Sequence, residues 1–151
     1  MKSIGSDFET KRFLWEELGK LYENRKMFER AAKAFFNKAG FEITAKDKID
    51  SFVTSAELYS KVGKVEEADD MFIRATREAD IAQKTRVKLA RKNIYTVLAR
   101  ELESKGKKAG AMKFYEKLYK MNLEDSEKII IREKLKKTYI SLGMFREAEL
   151  L

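Results

Sequence analysis

Apolar residues recur every three or four positions through most of the chain, the spacing of helices that each bury one face. Leu14, Leu18, Leu21 and Tyr22 make a first stripe, and Ala31, Ala32, Phe35 and Ala39 make a second soon after it. Next come Ile49, Phe52, Ala56 and Tyr59, then Ala68, Met71, Phe72 and Ala75. Val87, Ala90, Ile94, Leu98 and Leu102 precede Ala111, Phe114, Tyr115 and Leu118. A last stripe through Ile131, Leu135, Tyr139 and Leu142 is followed by about two turns of helix. The pattern predicts an all-α chain of consecutive helix pairs.

These pairs are copies of one unit. The segments 26–31, 63–68, 106–111 and 143–148 share a five-residue interval ending in Ala31, Ala68, Ala111 and Ala148. Tyr22, Tyr59, Leu102 and Tyr139 stand nine residues before these alanines; Phe35, Phe72 and Tyr115 stand four after the first three. Successive alanines are 37, 43 and 37 residues apart. Gly63, Gly106 and Gly143 open the interval, which predicts left-handed backbone ending the first helix of each pair. Lys26 replaces glycine in the first copy, with Asn24 nearby as a substitute. Asp47, Asp125 and Ser126 are candidate N-caps of later helices.

Trp15-Glu16-Glu17-Leu18-Gly19-Lys20-Leu21-Tyr22 resembles the tetratricopeptide repeat signature W-x2-L-G-x2-Y, and Ala31 with Phe35 supplies its A-x3-F. The second unit keeps the likeness through Phe52, Ala56, Tyr59, Ala68, Phe72 and Ala75, the third through Tyr95, Leu98, Ala99, Leu102, Ala111 and Tyr115. Gly19, Ala56 and Ala99 occupy the small position of close helix approach; Lys136 stands there in the fourth unit. The resemblance implies a right-handed superhelical array of antiparallel helix pairs, a TPR-like α-solenoid of about 3.5 repeats forming a single domain over residues 1–151. Its repeats are expected at about 12–45, 46–82 and 84–121, with a partial repeat at about 125–151. The family's usual Pro at the end of each unit is missing, which allows the second helix to run on into a longer connection, and spacings of 37 and 43 residues imply longer helices or longer links between them. Such long repeats are somewhat similar to those of the soluble NSF attachment proteins.

By the same resemblance, the first helices line a concave groove that holds a peptide or helix of a partner protein. The lining is expected at Phe13, Glu16, Lys20 and Glu23; Asp50, Val53, Glu57 and Ser60; Asn93, Thr96, Arg100 and Glu103; and Ile130, Glu133, Lys137 and Ile140. Relatives that grip acidic chaperone tails use Lys, Arg and Asn, whereas the matching positions here are Glu16, Lys20, Thr54, Asn93 and Val97. That substitution pattern argues against a chaperone-tail adaptor.

Charge adds an alternative. The net charge of +8 is concentrated: residues 82–121 hold 12 basic and 3 acidic side chains, against 15 and 16 before them and 6 and 6 after. Lys84, Arg86, Lys88, Arg91, Lys92, Lys105, Lys107 and Lys108 form a basic patch able to hold an anion or nucleic acid by screened attraction. The competing reading is a solvated lysine-rich face.

Composition removes most catalysis. The chain has no His and no Cys, so imidazole bases, thiol nucleophiles and zinc–thiolate sites have no ligands. Nucleotide-binding glycine loops and the G-x-S-x-G elbow are missing as well. The acidic run Glu66–Asp70 fans around its helix and does not converge on a cation; the expectation is a non-enzymatic protein with no cofactor and no metal. Met1–Glu9 lacks a secretory apolar run and no segment is long and apolar enough for a bilayer, so a cytoplasmic location is expected. At Glu149-Leu150-Leu151 the fourth pair leaves Ile131, Leu135 and Leu142 under-covered, which predicts continuation in a larger parent chain, a homo-oligomer, or a partner at that end.

Overall fold

A computed structural model describes residues 4–151, with side chains from Asp7 onward; Met1–Ser3, part of the segment read for a secretory signal, lie outside the described residues. Eight helices follow in order among the described residues: α1 (Ile4–Asn24), α2 (Phe28–Ala39), α3 (Ala45–Lys61), α4 (Val65–Glu78), α5 (Ile81–Ser104), α6 (Lys108–Tyr119), α7 (Asp125–Ser141) and α8 (Phe145–Glu149). They fall into two compact units whose boundary lies within α5, after Arg91. In the first, α1 packs on α2, α2 on α3 and α3 on α4; in the second, α6 packs on α7 and α7 on α8.

The five-residue interval is one turn made four times. Lys26, Gly63, Gly106 and Gly143 have φ of 58°, 75°, 74° and 75°. The next residue's N–H donates to the carbonyl of Tyr22, Tyr59, Leu102 or Tyr139 at 2.8 to 3.0 Å. That residue's own carbonyl accepts from Ala31, Ala68, Ala111 or Ala148 at 3.0 to 3.1 Å, which starts the second helix. Spent carbonyls of one helix and the first bond of the next are thus satisfied within a few residues. The aromatic-to-alanine interval is the backbone bond pattern read as sequence. Lys26 itself takes the left-handed position, so Asn24 is no substitute.

Close approach explains the small position. An added Cβ on Gly19 would lie 2.7 Å from the Phe35 ring, so α1 and α2 touch through glycine and aromatic carbon. Ala56 and Ala99 are fully buried at the matching places, while Lys136 is exposed on α7. In the second unit Tyr95, Phe114, Tyr115 and Leu118 are shut from solvent, with the Tyr95 and Phe114 rings 5.2 Å apart. Buried Ser55 donates to the Ala32 carbonyl at 2.7 Å and joins α3 to α2.

Two cap expectations need correction, and of longer helices or longer links the structure shows the helix. The extra length of the 43-residue spacing sits in a first helix: α5 has 24 residues against 17 in α3 and in α7. Only Ala79 and Asp80 separate α4 from α5, because Asp80 starts the new helix at once. Its carboxylate accepts from Gln83 N–H at 2.8 Å and its own N–H donates to the Gln83 side chain at 3.0 Å, a reciprocal cap. Thr44, not Asp47, caps α3, its hydroxyl oxygen accepting from Asp47 N–H at 3.1 Å. Asp125 and Ser126 lie inside α7, whose boundary residue Glu124 makes no side-chain cap; the acids at Asp125 and Glu127 favour that end through the helix dipole instead.

Candidate partner-binding clefts

In the first unit, the leading turns of α5 rest on their neighbours through Val87, which is buried. On either side of it the surface opens into a cleft.

The cleft facing α3 has a volume of about 380 Å³. Its apolar lining is Ile49, Val53, Val87 and Ala90, with Lys46, Asp50, Thr54, Gln83 and Arg86 supplying polar groups. Asp50 and Val53 were expected in a groove and Arg86 in a basic patch; the fold brings all three together. Such a site offers apolar anchoring with charges of both signs to orient a chain. Lys46 and Gln83 escaped the sequence reading because each stands in the opening turns of its helix, outside the apolar repeat.

The cleft facing α4 measures about 480 Å³, with Phe72, Ile73 and Val87 as apolar surface. Lys84, Lys88 and Arg91 come from α5, Arg77 and Asp69 from α4. Arg91 donates to Asp69 Oδ1 through two nitrogens at 3.0 and 3.1 Å, which offsets the charge of this carboxylate within the cleft.

Other expected groove residues are distributed as follows. Lys20 pairs with Glu16 at 3.5 Å and Glu17 at 3.9 Å along α1, and Glu57 is exposed on α3. In the second unit Asn93 and Arg100 are exposed on α5, as are Glu133 and Lys137 on α7, while the Thr96 hydroxyl returns to the Lys92 carbonyl at 2.7 Å. One lining assignment fails. Ser60 is buried and donates to the Ala56 carbonyl at 2.7 Å, since the last turn of α3 rotates it inward. Glu103 accepts from the Tyr115 hydroxyl and from Lys134 Nζ at 3.3 Å, so it ties α5, α6 and α7 together. The Tyr115 hydroxyl, and Lys134 beside it, hold the Glu103 carboxyl below its ordinary value.

The basic patch is likewise divided. Lys92 pairs with Glu127 at 2.9 Å and Lys105 with Glu101 at 3.3 Å, both within the second unit. Lys107 and Lys108 sit at the start of α6, where positive charge opposes the helix dipole. Among the described residues, no group of three or more acidic side chains could hold a metal ion.

A cluster missed by the sequence reading centres on Glu42. Its side chain is only 6% exposed, and Arg12 (3.9 Å), Lys38 (3.3 Å) and the Ser51 hydroxyl (3.5 Å) converge on it from α1, α2 and α3. Glu42 lies in an irregular link with no periodic signal, so sequence alone offers nothing to pair it with.

Comparison with known families bears on part of this helical array. Residues 93–125, from the middle of α5 through α6 to the start of α7, match the tetratricopeptide repeat family. This match, together with the consecutive helix pairs of the fold, supports a tetratricopeptide-like helical repeat. No curated protein and no solved structure matches it. Tetratricopeptide repeats generally mediate protein–protein contacts and are typically non-catalytic. No helix among the described residues is long and apolar enough to cross a membrane.

Proposed function

We propose that this tetratricopeptide-like chain is a non-catalytic interaction module, a scaffold or adaptor that holds a peptide or helix of a partner protein against the α3–α5 cleft. The observation that carries the reading is the meeting of Asp50, Val53 and Arg86 around one apolar-floored opening of about 380 Å³. Val53 and Ile49 supply the dry surface, while Asp50 and Arg86 orient the incoming backbone or side chains. Glu16, Lys20 and Glu57 are the further contacts proposed in the first unit; Asn93, Thr96, Arg100, Glu133 and Lys137 are proposed separately as partner contacts of the second unit.

Cross-linking capture from the source cell tests it with paired variants. Val53→Asp should lose the captured partner, whereas Ile129→Asp, at a residue already exposed on α7, should keep it. Retention by Val53→Asp with unchanged helicity would rule out the α3–α5 assignment. Nucleic-acid binding through the basic residues has a separate signature: affinity falling log-linearly with salt, and lost when Lys84, Arg86, Lys88, Arg91 and Lys92 are replaced.

A further inference from the structure

We infer that the cleft between α4 and α5 is a second docking surface, independent of the α3–α5 reading, for an acidic protein segment carrying an apolar anchor residue. Its lining recurs at helical spacing on both walls: Asp69, Ile73 and Arg77 along α4, and Lys84, Lys88 and Arg91 along α5. From position 69 to 77 a helix rises about 12 Å, enough to lie alongside roughly four extended residues or two helical turns.

Charge complementarity identifies the occupant. Four cations face this cleft and one carboxylate, Asp69, which Arg91 already neutralises. Nearby acids are occupied elsewhere: Asp70 holds Arg74 at 3.1 Å, Glu78 approaches Lys48 at 4.0 Å and Asp80 caps α5. Arg77, Lys84 and Lys88 are exposed at the rim. The floor is not polar, however, since Ile73 leaves half of its surface exposed between them. A bare polyanion would satisfy the rim and leave Ile73 wet. A segment that sets Leu, Ile or Phe between Asp or Glu residues would satisfy both, burying apolar area while its carboxylates meet the lysines and arginine.

Panning a random peptide library displayed on phage against the intact chain, with counter-selection on a Lys84→Glu/Lys88→Glu variant, tests the inference. Recovered sequences should set an apolar residue among Asp and Glu. Their affinity should fall with rising salt and drop about tenfold in the double reversal. Lys84→Gln/Lys88→Gln, which removes charge without repulsion, should give a smaller loss in the same direction. Ile73→Ser should also weaken them, while Val53→Asp in the α3–α5 cleft should not. Failure to enrich any lysine-dependent peptide, enrichment of peptides lacking acidic residues, or Ile73→Ser without effect while single-stranded RNA competes fully, would each overturn the proposal.

Discussion

Lys26→Gly should stabilise the first unit. Lys26 holds φ at 58°, the one non-glycine residue with positive φ among those described, and its place in the turn is filled by glycine in the other three copies. Left-handed backbone costs a residue with a Cβ about 1–2 kcal/mol. Introducing glycine gives back about 0.5–1 kcal/mol through the greater freedom of the unfolded chain. The net expectation is a gain of about 0.5–1 kcal/mol. Gly63→Ala is the mirror test, because an added Cβ there meets no atom within 4 Å and the penalty is torsional alone. Both changes lie in the unit that contains Trp15, the chain's one tryptophan, so urea unfolding followed by its fluorescence reads that unit directly. With a denaturant slope of about 2 kcal/mol per molar, the midpoint should rise by about 0.25–0.5 M for Lys26→Gly and fall by a similar amount for Gly63→Ala. An unchanged or lowered midpoint for Lys26→Gly, at constant slope, would refute the claim that this turn stores backbone strain.

Gly19→Ala and Gly110→Ala should move thermal stability in opposite directions. The first drives a methyl to within 2.7 Å of the Phe35 ring and should destabilise by about 1–2 kcal/mol even after the gain in helix propensity. The second meets only the flexible Leu102 tip at 3.3 Å and should stabilise by about 0.5 kcal/mol. Glu42→Ala should cost about 1–3 kcal/mol in chemical unfolding, since it leaves Arg12 and Lys38 part-buried without their shared carboxylate. Stability of the second unit should also narrow at both ends of the pH scale. The Glu103 carboxyl is depressed in the folded state, so its contribution is present above the unfolded value near 4.5 and fades as pH falls through the folded one. Burial, with Glu116 nearby, pushes the Tyr139 hydroxyl up from 10 to about 12, so its contribution holds below pH 10 and is lost on the way to 12. Glu103→Gln should flatten the acid limb of a urea-midpoint profile; an unaltered limb would assign the acid sensitivity to other carboxylates.

The family likeness of the third unit, from Tyr95 to Tyr115, and the interval from Tyr22, Tyr59, Leu102 and Tyr139 to the four alanines were legible because they are local. A helix stripe needs only three- and four-residue spacing, and the turn needs only a residue that tolerates positive φ. Cap positions were misread by one to three residues, since Thr44, Asp47, Asp125 and Ser126 are all chemically able to cap and the backbone at the boundary selects among them. Where the 43-residue spacing stores its extra length was equally illegible, because the sequence from 79 to 104 permits either a loop or a longer helix until the Asp80–Gln83 cap is seen to form.

Fold class, repeat number and turn positions are therefore properties of this sequence by itself, set by periodicity and by the few residues that accept left-handed backbone. Tertiary structure decided which charges have work to do. Arg91 and Lys92 looked equivalent to Lys84 and Lys88 in the chain, yet the first two pair with Asp69 and Glu127 while the other two face an open cleft. Partners 22 and 35 residues away met Arg91 and Lys92 through helix packing, and short-range spacing carries no information about such distant carboxylates.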